Sequence, residues 1–329
     1  MSWLDTRTQP FSWSFSRAQV YGICPRRYYY RYYAPYGGNA PREPGDRTLI
    51  YVLGRLATAP MLIGRVVHEL AHDSLQAAAA GRPWAEGTLA ASTRVAMARL
   101  LRSSRRAVRR CEAGHPPRQA PAILDDHYYR LAFGARETRT ALERAMHYAE
   151  GLAGHPLYAL ALRRPAAMLS VESAGSIVVG GVHVVAVPDL VLQMDDGRVA
   201  VVDWKTGASV EERAEQHAAQ LATYALYAAR QWGLPEERLA CLVADLNGTA
   251  VLEFPLGEGG LQRAEEAIAA SIALLRGALD DRGRNIASPR RFPPLAEWGA
   301  DLAELPWACG RCPYRLLCFG ERVIGWAAG

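Results

Sequence analysis

The residues with most to offer chemically lie in one short stretch: Pro188-Asp189, thirteen intervening residues, then Asp203-Trp204-Lys205. Two carboxylates that converge supply hard oxygen ligands, which suit Mg²⁺ or Mn²⁺. A divalent ion held between them polarises a phosphate and lowers the pKa of a bound water, as phosphodiester hydrolysis requires. A neighbouring amine orients the attacking water and stabilises the charge that develops. Lys205 stands out for a second reason: among 38 lysines and arginines it is the one lysine. A solvated surface accepts either cation. A site that needs a compact ammonium with an adjustable pKa does not accept a guanidinium.

Whether the carboxylates converge depends on the turn Asp195-Asp196-Gly197 between them. A two-residue loop would pair Asp189 with Trp204 and send the two aspartates to opposite faces. A three-residue loop, a type I turn closed by Gly197 in the left-handed region, pairs Asp189 with Asp203 instead. Lys205 then lies two residues on, on the same face. Glycine accepts positive φ freely, so Asp-Asp-Gly predicts this loop, with a bulge at Gly197. A bend at Pro188 is a second route to the same convergence. Both aspartates sit within apolar runs, where an unpaired carboxylate would be costly.

The elements that must carry these groups follow from periodicity and punctuation. Residues 12–33 read as one helix capped by Ser12 or Ser14, and the Gly- and Pro-rich stretch 35–48 reads as loop. Helical patterns cover about 61–80, 88–110 and 135–152, broken at Gly81-Arg82-Pro83 and at His115-Pro116-Pro117. From about 168 the chain turns β-branched: Val171, Ile177–Val187 divided at Gly180-Gly181, Asp189–Met194 and Val199–Val202. A helix over about 211–231, strands near 239–245 and 250–254, and a helix over about 260–279 follow. This order predicts a mixed α/β core preceded by helices.

Six cysteines are present, and three of them fall in Cys309-x2-Cys312-x5-Cys318. Such clustering in a reducing cytosol points to metal rather than disulfides. The candidate fourth ligand is Cys24, which precedes Pro25-Arg26-Arg27-Tyr28 much as Pro313-Tyr314-Arg315 follows Cys312. Spacing alone allows a Cys₄ zinc site or an iron–sulfur cluster equally. Joining Cys24 to Cys309 closes nearly the whole chain into a loop, worth about 4–5 kcal/mol at best by analogy with a disulfide. Cys241, in an apolar run, reads as a small buried hydrophobe, and Cys111 has no assigned role.

The net charge of +5 is a mild bias, so the distribution of charge matters more than its sum. Arg99, Arg102, Arg106 and Arg109 or Arg110 form a stripe at helical spacing that could track phosphates. A solvated arginine face in an arginine-biased protein reads equally well. The run Tyr28–Tyr33 could stack bases, but tyrosines at this spacing beside a cysteine site favour packing.

Taken together, these segments resemble the RecB-like branch of the PD-(D/E)XK nuclease superfamily. Gly64-Arg65-Val66-Val67-His68-Glu69 resembles its upstream histidine motif, which implies that His68 is a metal ligand beside Asp189 and Asp203. Asp203-x-Lys205-Thr206-Gly207 resembles the central strand motif, with Lys205 the catalytic amine. Gln220-Leu221-Ala222-Thr223-Tyr224 is similar to the Gln-x3-Tyr motif that positions substrate and lysine; Gln220 and Tyr224 lie one helical turn apart. Glu172 is similar to a recurrent glutamate of the branch, in a supporting role. The paired cysteine segments resemble those that hold a 4Fe–4S cluster in AddB-type and CRISPR-adaptation nucleases, which implies Cys24, Cys309, Cys312 and Cys318 as its ligands.

The resemblance implies an α/β restriction-endonuclease-like mixed sheet flanked by helices, with an iron–sulfur clip joining the two ends. The expected divisions are an N-terminal helix and loop (1–60), a helical lobe with the histidine motif (61–167), the nuclease core (168–284) and the cysteine segment (285–329). The expected function is a metal-dependent deoxyribonuclease, an exonuclease or end-processing enzyme of repair, recombination or antiviral defence, acting on DNA that includes single strands. The alternative is a non-catalytic iron–sulfur subunit that binds DNA in a helicase–nuclease or CRISPR adaptation complex; its mark would be a missing ligand, and none is missing. A helicase or a CRISPR integrase complex is the expected kind of partner; no Walker-type motif is present, so any helicase motor would be a separate chain. No apolar run approaches the roughly 20 residues that span a bilayer, and Met1–Phe15 does not read as a signal peptide, so a cytoplasmic location is expected.

Overall fold

A computed structural model describes residues 10–35, 46–115, 122–207, 210–297 and 299–325. Most of the expected loop at 35–48, and the break at Pro116-Pro117, fall outside the described residues.

The segment expected as one helix over 12–33 is three elements. Ser12–Trp13 is a strand (β1), Phe15–Ile23 a helix (α1) and Pro25–Tyr32 a second helix (α2). Ser14 caps α1, its hydroxyl accepting from the Arg17 amide at 3.3 Å. Cys24 ends α1 and opens α2 in an extended conformation, φ −163°. Pro25 is the physical reason, because the residue before a proline is pushed out of the helical region.

A short helix follows at Asp46–Leu53 (α3), so the loop expected to reach 48 ends sooner. Leu56–Ala57 (β2) leads into the 21-residue helix Ala59–Ala79 (α4), then Thr88–Glu112 (α5), Ile123–Leu124 (β3), Asp125–Tyr128 (α6), Ala135–Ala153 (α7) and Pro156–Arg163 (α8). The strands are Met168–Val171 (β4), Gly175–Val179 (β5), Val182–Ala186 (β6), Leu190–Gln193 (β7) and Val199–Lys205 (β8). After them come Ala214–Trp232 (α9), Leu239–Asp245 (β9), Val251–Glu253 (β10), Gly260–Gly277 (α10), Trp307–Gly310 (α11) and Arg315–Phe319 (α12).

The central sheet has the order β10-β9-β8-β7-β4, with β8 and β9 parallel and the other neighbours antiparallel. β8 and β9 are buried along almost their whole length, as parallel strands covered on both faces must be. Alternate residues serve two cores. Ala200, Val202 and Trp204 pack with Val66, Val67 and Ala71 of α4 and with α7 and α8. Val199, Val201 and Cys241 pack against Leu221, Ala225 and Ala228 of α9. The apolar face of the helical block and one face of the sheet thus share a single core.

A second sheet, β1-β6-β5, pairs β1 parallel to β6 and encloses another core with Tyr28, Ile268, Ile272 and Phe292. Tyr28 is fully buried, so the tyrosine run is largely packing. Arg26 ties the chain's two ends: its Nε donates to the Phe292 carbonyl at 2.7 Å and its amide donates to Pro293 at 3.2 Å.

Candidate active site

The hairpin between β7 and β8 turns through three residues. The Met194 amide donates to the Arg198 carbonyl at 2.8 Å, closing Asp195-Asp196-Gly197, and Gly197 has φ +85°. The register Leu190↔Val202 and Val191↔Val201, continued by one residue, sets Asp189 opposite Asp203. This is the register that the Asp-Asp-Gly turn predicts.

Asp189 is held at both ends. One carboxylate oxygen accepts from the Trp204 amide at 2.7 Å, and the other lies 3.2 Å from His68 Nδ1. His68 reaches it because α4 buries Leu62, Ile63, Val66 and Val67, leaving the next position facing the β4–β7 end of the sheet. Gly64 permits this approach, since a Cβ there would meet Thr206 Oγ1 at 2.9 Å. Glu172, just past β4, brings a carboxylate oxygen to 3.5 Å from the same His68 nitrogen, and its amide donates to the Asp189 carbonyl at 3.0 Å. Its φ of +40° is strained for a residue with a side chain, a conformation that clusters at functional sites. His72, one turn along α4, places Nδ1 3.9 Å from the other Glu172 oxygen.

Donor atoms of His68, Glu172 and Asp189 all lie within 4.8 Å of one another, close enough to share one metal ion. Asp203 stands beside this trio rather than within it. It is 3% exposed, and its Oδ2 makes an ion-pair contact with Lys205 but no aligned hydrogen bond. Burial raises its pKa to about 6, opposed by Lys205 and assisted by Asp189. Burial disfavours charge on the His68 ring, but the Asp189 and Glu172 carboxylates outweigh it and hold its pKa up near 10.

Lys205 leads away from the trio toward α9. Its Nζ donates to Gln220 Oε1 at 3.0 Å, and Gln220 Nε2 donates to the Tyr224 hydroxyl at 2.9 Å. The glutamine thus fixes the amine through one atom and is fixed by the tyrosine through another. Burial, with Asp203 and Asp189 nearby, raises the Tyr224 pKa, so the phenol stays neutral. His217, one turn earlier on α9, was not foreseen; burial, then Lys205, lowers its pKa to about 4 and keeps it uncharged beside the amine.

The four cysteines singled out by spacing line one small cavity, with Arg27, Tyr30 and Arg315 among its walls. Cys24 comes from the α1–α2 junction, and the others from the α11–α12 segment. Burial pushes the Cys312 thiol up to about 11 and the Cys318 thiol up to about 12. Cys241 is 2% exposed in the α9-side core, as its apolar run suggested. Arg99, Arg102, Arg106 and Arg109 are all exposed on α5.

Comparison with protein families matches residues 12–319 to the PD-(D/E)XK nuclease superfamily. The chain belongs to this superfamily. Its members are typically metal-dependent nucleases that use divalent ions such as Mg²⁺ or Mn²⁺, and the mixed sheet flanked by helices accords with that fold. Comparison with curated proteins returned no match. Among the described residues, no helix is long and apolar enough to cross a membrane.

Two features of the site exceed the sequence reading. Glu172 stands with the candidate ligands, not behind them, and His72 adds a second imidazole. The i, i+4 spacing of His68 and His72 was a visible signal, but the left-handed backbone that turns Glu172 inward was not.

Proposed function

We propose that this protein is a metal-dependent deoxyribonuclease of the RecB-like branch, acting on DNA ends in repair, recombination or defence. The observation that carries the reading is the His68–Glu172–Asp189 donor trio set against the Asp203–Lys205 pair. One imidazole nitrogen with two carboxylates suits Mn²⁺ and Mg²⁺ better than a soft thiophilic ion. Asp203, with an oxygen free of any aligned hydrogen bond, is the adjacent group that could complete the set. A divalent ion bound there would polarise the scissile phosphate and acidify a water.

The chain's own residues supply the rest. Lys205 donates from Nζ toward the attacking water or the phosphoryl oxygen on which negative charge develops. Gln220 and Tyr224 restrict the amine to that direction, and His217, neutral, adds no competing charge. The exposed α5 arginines offer a track for phosphates outside the site.

Cys24, Cys309, Cys312 and Cys318 would hold a 4Fe–4S cluster. All four line one cavity, which brings Cys24 from the N-terminal segment to the three C-terminal cysteines. Four thiolates suit either a zinc ion or an iron–sulfur cluster, and the resemblance of the paired cysteine segments favours the cluster. Its role is structural, clipping the N-terminal helices to the C-terminal segment.

The test is cleavage of end-labelled DNA with Mg²⁺ or Mn²⁺, with EDTA, and with Lys205→Ala. Loss of cleavage under both of the last conditions supports the reading; full activity in the variant contradicts it. Iron and zinc analysis of anaerobically purified protein, with its visible spectrum, decides the clip.

A further inference from the structure

A second small pocket, partly open to solvent, shares Arg27 and Tyr314 with the cysteine cavity. Arg27 and Arg31 enter it from α2, and Arg311 enters from the turn after α11. These guanidiniums come from opposite ends of the chain, yet no carboxylate pairs with any of them among the described residues. Gathering three like charges costs Coulomb energy that a bound anion would offset. Arg27 Nε is buried and makes no hydrogen bond, an arrangement that costs free energy until an acceptor arrives. Thr58, the cap of the 21-residue α4, also lines the cavity, so the positive end of that helix dipole is present.

One acid, Asp125, lies in the wall. Its carboxylate is engaged elsewhere: it accepts from the Asp126 amide at 3.0 Å and lies 4.0 Å from the buried Arg315 guanidinium. The cavity therefore keeps its positive character.

We propose that this cavity binds a backbone phosphate of the nucleic acid whose scissile bond lies at Asp189, an inference that rests on the nuclease reading. Met61 lines the cavity, and His68 stands seven residues further along the same helix, about 10 Å along its axis. A strand gripped here would be held a few nucleotides from the site of cleavage. Because Arg27 lines both cavities, ligation of the cysteines keeps the grip in shape.

The test is fluorescence anisotropy of a labelled single-stranded oligonucleotide on full-length Lys205→Ala protein in EDTA, over a range of salt. Arg31→Gln with Arg311→Gln is then added; both side chains are exposed, and circular dichroism checks the fold. Expected are binding about tenfold weaker and a log–log salt slope shallower by about 0.7 per lost phosphate contact. In the otherwise native protein, the same pair should raise KM about tenfold and leave kcat at saturating DNA nearly unchanged. Unchanged affinity and slope, with cleavage intact, would overturn this proposal alone. An unchanged affinity with inorganic phosphate raising the melting temperature only when the arginines are present would assign the cavity to free phosphate, and also overturn it. A parent protein that binds no oligonucleotide would overturn both this proposal and the nuclease reading.

Discussion

The Asp189 carboxylate accepts a hydrogen bond from the backbone amide of Trp204 across the β7–β8 hairpin, at 2.7 Å. That bond spends one oxygen of Asp189 on the neighbouring strand and leaves the other facing His68 at 3.2 Å. It also locks Asp189 beside the two residues that flank Trp204, namely Asp203 and Lys205. The hairpin is in this sense a jig: a three-residue turn sets the register, and the register sets the chemistry.

Lys205 should tolerate no replacement, including the arginine used at every other basic position. Lys205→Ala and Lys205→Arg are each expected to lower kcat about 10²–10³-fold, the scale for removing one donor to developing charge. A guanidinium is too large and too planar to sit between Asp203 and Gln220. Single-turnover cleavage of a labelled oligonucleotide measures this; near-native activity in the arginine variant would mean the amine merely balances charge.

Metal affinity should rise with pH, because His68 must give up a proton to become a ligand. The ring's folded pKa, near 10, lies above its unfolded value of about 6.5. Its ion pairs therefore stabilise the metal-free protein fully below about pH 6.5, and that contribution is lost as pH rises through 10. Metal binding runs the opposite way, displacing the proton. Calorimetric titration with Mn²⁺ at pH 7 in buffers of different ionisation enthalpy should report about one proton released, and none in His68→Ala.

Replacing Gly151 on α7 tests the packing of the helical block on the sheet. A Cβ there would collide with the Leu246 carbonyl, which is backbone and cannot rotate away. Gly151→Ala should lose about 1–3 kcal/mol in urea unfolding, despite alanine's better helix propensity. A neutral or stabilising effect would show that α7 sits further from the end of β9.

Removing one cysteine should loosen both ends of the chain together. Cys312→Ser is expected to abolish the visible absorption of a cluster and to lower stability by up to about 4–5 kcal/mol, on the cross-link analogy. Cys241→Ser, outside the cavity, should keep the colour. Arg26 still bonds the α2 segment to Phe292 in either variant, so unfolding need not be complete.

Much of this site was legible because the decisive information is local. Asp195-Asp196-Gly197 encodes its own turn, the turn encodes the register, and Gln220 and Tyr224 share a helix face by spacing alone. What was hidden depends on contacts distant in sequence or on backbone strain. β1 forms because Ser12 and Trp13 find β6 some 170 residues later, and no periodicity over 12–33 reveals that. The break at Cys24 was marked by Pro25, a signal overridden by the aromatic run around it. Glu172 could be read as an auxiliary acid but not as a ligand, because its orientation follows from a positive φ that its residue type does not suggest.

The most direct measurement is the cleavage rate of end-labelled DNA as Mn²⁺ is titrated into the native protein, Asp189→Asn and Glu172→Gln. The account predicts saturable, metal-dependent cleavage in the native protein. It predicts rates near background in Asp189→Asn and a weakened Mn²⁺ dependence in Glu172→Gln. Native-like rates and the same Mn²⁺ midpoint in Asp189→Asn would contradict it.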